Sequence, residues 1–391
     1  MNRDAGKLFN EPDSKTSADG VTTGILPDRD IAKLIEGGRI SAEGGVDVSQ
    51  IQPASLDLRL GATAWRVRAS FLPGKASTVQ AKIDRLKMHQ IDLTKPVVLE
   101  KGCVYIAELM EELKLPADIA GYANPKSSTG RLDIFTRLIT DCGAEFEGVA
   151  AGYKGKLYVE IMPHTFSVLA QQGTRLNQIR FVRGNPPPSD TKLTELDQTL
   201  KLVYSDSDGP LPAIIKNGLW ISVDLEGDAS KGIIGYRAKH HAPLIDLSKL
   251  NHYDPLDFWE PITRNAERSL VLSPDDFYIL VSRERVRIPN SHAASMVPYD
   301  PSVGEFRIHY AGFFDPGFGY GANNLKGARA VLEVRSHDVP FMIEHGQDVG
   351  RLIYERLLGE PEKIYGVNIG SNYQSQGLKL SKQFKPLAMP V

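Results

Sequence analysis

An internal repeat constrains the fold of this chain more than any other feature of its sequence. Similar residues recur at a constant offset of 173 positions in four separate places. The matched positions are Val98, Leu99 and Tyr105 with Val271, Leu272 and Tyr278, Leu115–Pro116 with Ile288–Pro289, Glu160 with Glu333, and Gly173 with Gly346. A fifth pair, Ser55–Leu58 and Ser222–Leu225, matches at a slightly different offset. Since one offset in four places is hard to obtain by chance, the sequence predicts two copies of one domain.

The 391 residues are enough for two domains of ordinary size. We place the first domain at residues 24–184 and the second at residues 219–391. The proline run Pro186–Pro188 and an Asp/Ser/Gly/Pro-rich stretch mark residues 185–218 as a linker, with a short helix over Lys192–Lys201. The polar residues 1–23 are predicted to be a disordered tail.

Most segments alternate with the period of a β-strand. In Lys156–Met162, Leu157, Val159 and Ile161 share one face, and Ala328–Arg335 alternates in the same way. With turn residues every 8 to 15 positions, the pattern predicts an all-β sandwich or barrel with few short helices. One helix is expected to begin at Asp28 as its cap and to end at Gly37–Gly38.

Composition excludes several classes of protein. The formal net charge of −2 argues against a protein that coats nucleic acid, and we expect no nucleic-acid partner. Two cysteines rule out a disulfide scaffold and favour a cytoplasmic setting. We expect no membrane association, because the sequence has no long apolar run and no signal-peptide pattern at its start.

The first candidate site is Pro125–Arg131, which combines three hydroxyl groups, Lys126, Arg131 and Gly130. These groups can wrap an anion such as a phosphate, although the same residues also suit an ordinary polar turn. The corresponding stretch of the second half, Tyr299–Glu305, places Asp300 and Glu305 at the positions of the two cations. Because carboxylates repel phosphate, we expect the first half alone to bind it here.

Three further segments are candidates. His309–Gly319 is expected to form a hairpin tip with aromatic rings and the carboxylate of Asp315, and its first-half counterpart Thr140–Gly148 lacks Asp-Pro-Gly. Glu160 and Glu333 occupy equivalent strands, and either can be a general base if it lies buried beside a ligand. The polar, glycine-bracketed segment Gly370–Gly377 can close over a ligand as a lid. The pattern of zinc deaminases is absent from the sequence, so we expect no metal ligated by the protein and no zinc.

These motifs together resemble the dCTP deaminase family, whose domains have the dUTPase-like β-clip, a distorted jelly-roll barrel. The resemblance covers Asp28–Ile31 with Gly38–Ile40, Pro53–Gly61, Lys126–Arg131, Ala311–Phe318 and Tyr373–Gly377, with Lys126 and Phe318 where the family usually has Arg and Trp. It implies two tandem domains of this fold and deamination of dCTP to dUTP and ammonia, without zinc. Glu160 and Glu333 both fall on the family's catalytic glutamate.

The resemblance also implies a role for each site residue. Glu333 or Glu160 is the general base, and Ser127 and Arg131 orient it. Lys126 and Ser128 bind a triphosphate that carries Mg²⁺, Ala311 holds the water through its carbonyl, and Asp315 binds the 3′-hydroxyl. Phe318 packs on deoxyribose, and Tyr373 and Gln376 belong to the lid.

The sequence leaves several alternatives open. Members of the family are usually trimers, so a homo-oligomer is expected, but the packing of two halves is not determined. In one hypothesis the first half gives the phosphate motif and the second gives the hairpin, Glu333 and the lid. In the other, rings of first halves make Glu160 the partner of Ser127 and Arg131. A dUTP diphosphatase, a bifunctional enzyme that continues to dUMP, and a non-catalytic nucleotide-binding protein are rival functions, and feedback by dTTP is left undetermined.

Overall fold

The computed structural model describes residues 22–227, 232–298, 306–308, 312–320, 325–336, 338–366 and 377–387. Of the tail predicted at residues 1–23, only the last two positions fall among them. The first half contains β1 (Gly24–Ile25), α1 (Asp28–Glu36), β2 (Ile40–Ala42), β3 (Leu56–Val67), α2 (Val79–Leu86), β4 (Lys87–Asp92), β5 (Val97–Leu99), β6 (Val104–Lys114), β7 (Ile119–Pro125), α3 (Ser127–Gly130), β8 (Ile134–Thr140), β9 (Gly148–Val149), β10 (Lys154–Pro163), β11 (Val168–Ala170) and β12 (Arg175–Arg183). A short 3₁₀ helix covers Val48–Gln50.

The rest of the described chain is organised in the same way. It contains α4 (Asp190–Leu200), β13 (Val203–Tyr204), β14 (Leu219–Ser222), β15 (Ile233–Ala238), β16 (Ile245–Asp246), α5 (Pro255–Phe258), β17 (Trp259–Thr263), β18 (Ser269–Leu272), β19 (Tyr278–Val286), β20 (His292–Pro298), β21 (Phe306–Ile308), β22 (Phe313–Phe314), β23 (Ala328–Ser336), β24 (Phe341–Glu344) and β25 (Asp348–Arg356). The prediction of an all-β protein with few short helices is confirmed. Among the described residues, no helix is long and apolar enough to cross a membrane.

Sheet topology follows the repeat. In the first half, a sheet runs in the order β8-β10-β6-β3-β12-β7-β9. In the second half, β17-β15-β19-β23-β21 and β14-β25-β20-β22 form two sheets. The halves are also joined through their backbones, because β16 of the second half pairs in parallel with β11 of the first.

The register of the strands confirms the repeat. Strands β7 and β20 correspond residue for residue at the offset of 173, and so do β12 and β25. Glu160 is paired with Ile106, and Glu333 is paired with Ile279, which is the same ladder position one repeat later. Each repeat tyrosine also accepts a hydrogen bond from the N–H five residues before it, at 3.0 Å in both halves.

The chain has two main apolar cores: the first core combines buried residues of both halves, and the buried residues of the second core lie between Leu193 and Tyr354. The alternation predicted for β10 is confirmed, because Leu157, Val159 and Ile161 are buried in the first core. Leu332 and Val334 of β23 belong to the second core. The linker region also contributes, since Leu193 of α4 and Val203 of β13 are buried in the second core.

Asp28 has a different role from the predicted helix cap. Helix α1 begins after Pro27 without a side-chain cap. The Asp28 carboxylate instead accepts the backbone N–H groups of Glu362 at 2.9 Å and Lys363 at 2.8 Å. The prediction was wrong because the sequence does not show that a distant segment supplies better placed donors. The correction matters for packing, since this carboxylate ties the two halves together.

Candidate active site

The segment Lys126–Arg131, the predicted phosphate-binding motif (below, the phosphate motif), is a tight turn at the end of β7. Strand β7 ends at Pro125, and the single-turn helix α3 follows, with the Thr129 and Gly130 N–H groups donating to the Lys126 carbonyl at 2.8 and 3.0 Å. The Lys126 N–H donates to the Leu176 carbonyl at 2.8 Å, and the Thr129 hydroxyl donates to the same carbonyl at 2.9 Å. Strand β12 therefore fixes the position of this turn.

Cationic side chains surround the turn. Lys126 forms an ion pair with the buried Asp57 of β3, and Arg175 lies 3.7 Å from the other oxygen of that carboxylate. Burial and the nearby Lys126 lower the pKa of Lys382. Lys126, Arg175 and Lys382 thus lie near one another around Asp57, and such a group of cations suits a phosphate ligand.

The second half contributes Glu333 to this turn. Glu333 of β23 is 6% exposed, and its Oε1 lies 3.9 Å from the Nε of Arg131. Two residues along the same strand, Arg335 forms an ion pair with the fully buried Asp133 of the first half. These two ion pairs place β23 against the turn that follows α3, so the structure brings Arg131 and Glu333 together.

The environment of Glu333 changes its acidity. Burial raises the pKa of this carboxyl to about 8, and the Arg131 guanidinium opposes that rise. A carboxyl group that titrates near neutral pH can both accept and donate a proton during a reaction. Glu333 therefore has the acidity that a general acid–base catalyst needs.

Ser127 faces the backbone that leads into the hairpin. Its Oγ lies 3.9 Å from the position that a Cβ on Gly312 would occupy. Ala311, the predicted carbonyl that holds water, lies outside the described residues, as do residues 299–305 with the acidic counterpart of the motif. Gly312, the residue that follows Ala311, therefore lies close to Ser127.

The predicted hairpin is a short strand followed by a tight turn. Strand β22 pairs with β20, and the turn Asp315–Phe318 is closed by the Phe318 N–H, which donates to the Asp315 carbonyl at 3.0 Å. Gly317 has a φ of 91°, and a Cβ there would lie 2.3 Å from Ile364, so this position requires glycine. Phe318 is 5% exposed and packs edge-on against Phe314 with ring centroids 5.0 Å apart.

The counterpart of this turn in the first half lies further along the chain than the sequence suggested. Strand β9 pairs with β7 as β22 pairs with β20, so Val149 corresponds to Phe314. Asp315 then corresponds to Ala150, and Gly317 to Gly152, which also has a positive φ of 74°. The alignment with Thr140–Gly148 was wrong because loop lengths differ. The first half has no carboxylate at this position of the turn.

Glu160 is placed differently from Glu333. Its Oε1 accepts hydrogen bonds from the Arg137 guanidinium at 3.0 and 2.6 Å, within the first half. Among the described residues, its hydrogen bonds and its ion pair are with Arg137 of β8 and not with the turn Lys126–Arg131. The structure therefore brings Glu333, and not Glu160, to the phosphate motif.

The C-terminal segment also contacts the turn Lys126–Arg131. The Lys379 carbonyl accepts a hydrogen bond from Arg131 at 2.9 Å, and the Ser381 hydroxyl donates to the Ser128 carbonyl at 2.8 Å. Ser128 and Lys382 line a cavity of about 460 Å³. The predicted lid residues Tyr373 and Gln376 lie outside the described residues.

Arg180 is a residue of the site that was not predicted from the sequence. Arg180 of β12 is fully buried, and it donates to the Phe314 carbonyl at 2.9 Å and contacts Asp315 at 3.3 Å. A cation between the apolar residues Ile179 and Phe181 is the signal that could have revealed it. In the part of the chain that the structure covers, no group of three or more His, Cys, Asp and Glu side chains is arranged to hold a metal ion.

Two similar β-rich halves, which follow one another in the chain and share a polar site, define the class of this protein. The N-terminal-domain model of 2′-deoxycytidine 5′-triphosphate deaminase matches residues 22–185. The C-terminal-domain model of the same enzyme matches residues 189–384. The chain therefore belongs to the 2′-deoxycytidine 5′-triphosphate deaminase family.

Individual proteins show the same similarity. The crystal structure of 2′-deoxycytidine 5′-triphosphate deaminase from Agrobacterium tumefaciens has a TM-score of 0.82 and 52% identity, and the match covers 88% of this chain and 100% of that chain. The dCTP deaminase, dUMP-forming, of Dictyoglomus thermophilum is 30% identical over 165 residues, which are 42% of this chain and 82% of that protein. The dCTP deaminase of Halorubrum lacusprofundi is 28% identical over 189 residues, or 48% of this chain and 88% of that protein.

Proposed function

We propose that this chain deaminates dCTP to dUTP and ammonia at a site formed by both of its halves. The observation that carries the proposal is the buried Glu333 of the second half, 3.9 Å from Arg131 of the first half's motif. Membership of the dCTP deaminase family and the similarity to the Agrobacterium enzyme support the choice of substrate. The two halves divide the site because each lacks a part that the other has.

In this proposal Glu333 is the proton carrier. Its carboxylate takes a proton from a water molecule, the hydroxide oxygen bonds to C4 of cytosine, and the proton passes to N3. Glu333 then moves the proton of the new C4 hydroxyl to the amino group, and the C4–N bond breaks to release ammonia. Acid–base help of this kind accelerates a reaction by roughly 10²- to 10⁴-fold.

The other site residues bind and orient. Arg131 and Ser127 fix the Glu333 carboxylate, and the Ala311 carbonyl holds the water. Asp315 accepts a hydrogen bond from the 3′-hydroxyl. These assignments are supported by the contacts of Arg131 and by the position of Ser127 beside Gly312.

The remaining residues act on the sugar and the triphosphate. Lys126 and Ser128 bind a triphosphate that brings its Mg²⁺ as part of the substrate. Phe318 limits the space beside deoxyribose, and Tyr373 and Gln376 close the lid. A cytoplasmic location and a homo-oligomer remain proposals, to be measured by cell fractionation and by light scattering on the purified chain.

A second candidate function follows from the relatives named dUMP-forming. Such an enzyme would also cleave the bond between the α- and β-phosphates and yield dUMP and pyrophosphate. The similarity to relatives of that description, such as the one from Dictyoglomus, favours this candidate. The name of the more similar Agrobacterium protein mentions the deaminase activity only.

The experiment incubates the purified chain with dCTP and Mg²⁺, separates the nucleotides by chromatography and assays ammonia. dUTP with an equal amount of ammonia supports the deaminase. dUMP with pyrophosphate supports the bifunctional enzyme. If neither dCTP nor dUTP is converted, the enzymatic proposal is refuted and a nucleotide-binding protein remains.

A further inference from the structure

Arg180 is a buried cation that crosses from one half of the molecule to the other. It lies on β12 of the first half and its side chain has no exposed surface. On that strand Ile179 and Phe181 point into the first core, whereas Arg180 points the opposite way, into the second half. A charge without access to water must be matched by hydrogen bonds and opposite charges.

The partners of Arg180 belong to the strands that carry the turn at Asp315. One terminal nitrogen donates to the Ala294 carbonyl of β20 at 2.8 Å. The other donates to the Phe314 carbonyl of β22 at 2.9 Å and to the Asp315 carboxylate at 3.3 Å. The guanidinium carbon lies 4.1 Å from the centre of the Phe313 ring, within cation–π range. One guanidinium thus fixes three consecutive residues.

Tyr122, the cross-strand neighbour of Arg180, completes this contact. Its ring packs edge-on against Phe313 with centroids 5.3 Å apart, and its hydroxyl donates to Glu355 at 2.6 Å. Arg180 also lies 3.9 Å from the Glu355 carboxylate. The turn is therefore held by two residues of the first half rather than by its own domain alone.

The repeat supplies an internal comparison. One repeat later, the position of Arg180 on β12 is Ile353 on β25. The equivalent turn of the first half has Ala150 at the position of Asp315 and therefore no carboxylate. The cation thus occurs in the copy that meets a carboxylate-bearing turn.

We propose that Arg180 is a positioning residue. It holds strand β22 and the turn Asp315–Phe318, and it aims the Asp315 carboxylate at the deoxyribose of the substrate. The inference rests on the proposed function, since it takes Asp315 as the acceptor of the 3′-hydroxyl. Arg180 does not reach the substrate itself; its effect passes through Asp315 and the Phe314 carbonyl.

Charge supports the same role. Burial raises the pKa of Asp315, and Arg180 is the foremost group that lowers it again, followed by Lys126, while Asp57 raises it. Without Arg180, Asp315 would bind a proton more readily and accept hydrogen bonds less well. The defect of a variant without this cation should therefore become smaller as the pH rises.

The test compares wild type with Arg180→Met, Arg180→Lys and the control Arg183→Met, which changes an exposed arginine of the same strand. The substrates are dCTP and 2′,3′-dideoxy-CTP, which lacks the 3′-hydroxyl. For Arg180→Met we expect the KM for dCTP to rise about 10- to 100-fold, the range for losing a charged hydrogen bond, with a smaller change in kcat. The KM for the dideoxy substrate should rise less than about threefold by the same reasoning. The KM of Arg180→Lys for dCTP should lie between those of wild type and Arg180→Met, and the KM of Arg183→Met should match that of wild type.

Two results would overturn the inference. One is an unchanged KM for dCTP in a folded Arg180→Met variant. The other is a KM that rises equally for dCTP and the dideoxy substrate in both Arg180→Met and Arg180→Lys. Such a result would indicate a general loss of structure, which does not depend on the 3′-hydroxyl. If wild type itself leaves dCTP unchanged, the proposed function fails, and that outcome is distinct from either of these.

Discussion

Replacing Glu333 by Gln tests the chemistry of the site most simply. The amide keeps the size of the side chain and removes its ability to carry a proton. With a pKa of about 8, roughly a tenth of Glu333 is ionised at pH 7, and that fraction is the active base. Because the variant has none, we expect kcat to fall about 10²- to 10⁴-fold. Ammonia release from dCTP is the assay.

Glu160→Gln is the matched control, since it changes the equivalent strand position of the first half. Its carboxylate is bound to Arg137, so its loss should cost roughly 1–3 kcal/mol of folding free energy and leave kcat within about threefold of wild type. The reasoning is refuted if Glu160→Gln loses the activity and Glu333→Gln keeps it.

Four further outcomes are expected. The kcat/KM of wild type should rise with pH up to about 8, because Glu333 must be ionised to accept a proton, and the profile should lose this limb in Glu333→Gln. Burial raises the pKa of Glu333 from its ordinary value of 4.5 to about 8, so the folded state favours the protonated carboxyl. The contribution of Glu333 to the free energy of unfolding is therefore fully present below pH 4.5 and is lost as the pH rises through 8. Chemical denaturation at pH 9 should find Glu333→Gln more stable than wild type. Arg335→Met, which leaves the buried Asp133 without its cation, should lower the free energy of unfolding by about 3–5 kcal/mol, as measured in urea. Removing residues 377–391 should raise the KM for dCTP and expose Arg131 to water, because the Lys379 carbonyl and Ser381 cover the turn; an unchanged KM would show that the segment is not part of the site.

The repeat and the strand alternation made the fold predictable from the sequence. A period of two in β10 and β23 reports directly which side chains face a core, and the constant offset predicted two similar domains. The residues of the phosphate motif were also accessible, since hydroxyls, cations and glycine lie within seven positions.

The packing between the halves could not be predicted from the sequence in the same way. Arg131 is about 200 positions from Glu333 and about 30 from Glu160 in the sequence. Local periodicity contains no information on which of these distant residues contacts Arg131. Asp28 illustrates the same limit, because it looks like a helix cap until the chain at Glu362 is placed beside it. Arg180 was missed for this reason too, since its partners lie in the other half.

The most direct test of a site shared between the halves is a crystal structure of the Glu333→Gln variant with dCTP and Mg²⁺. We predict that the cytosine ring lies beside position 333 on the side of Arg131 and Ser127, with the 3′-hydroxyl at Asp315 and the triphosphate at Lys126. A nucleotide bound beside Glu160 and Arg137, or one that contacts residues of a single half, would contradict the account.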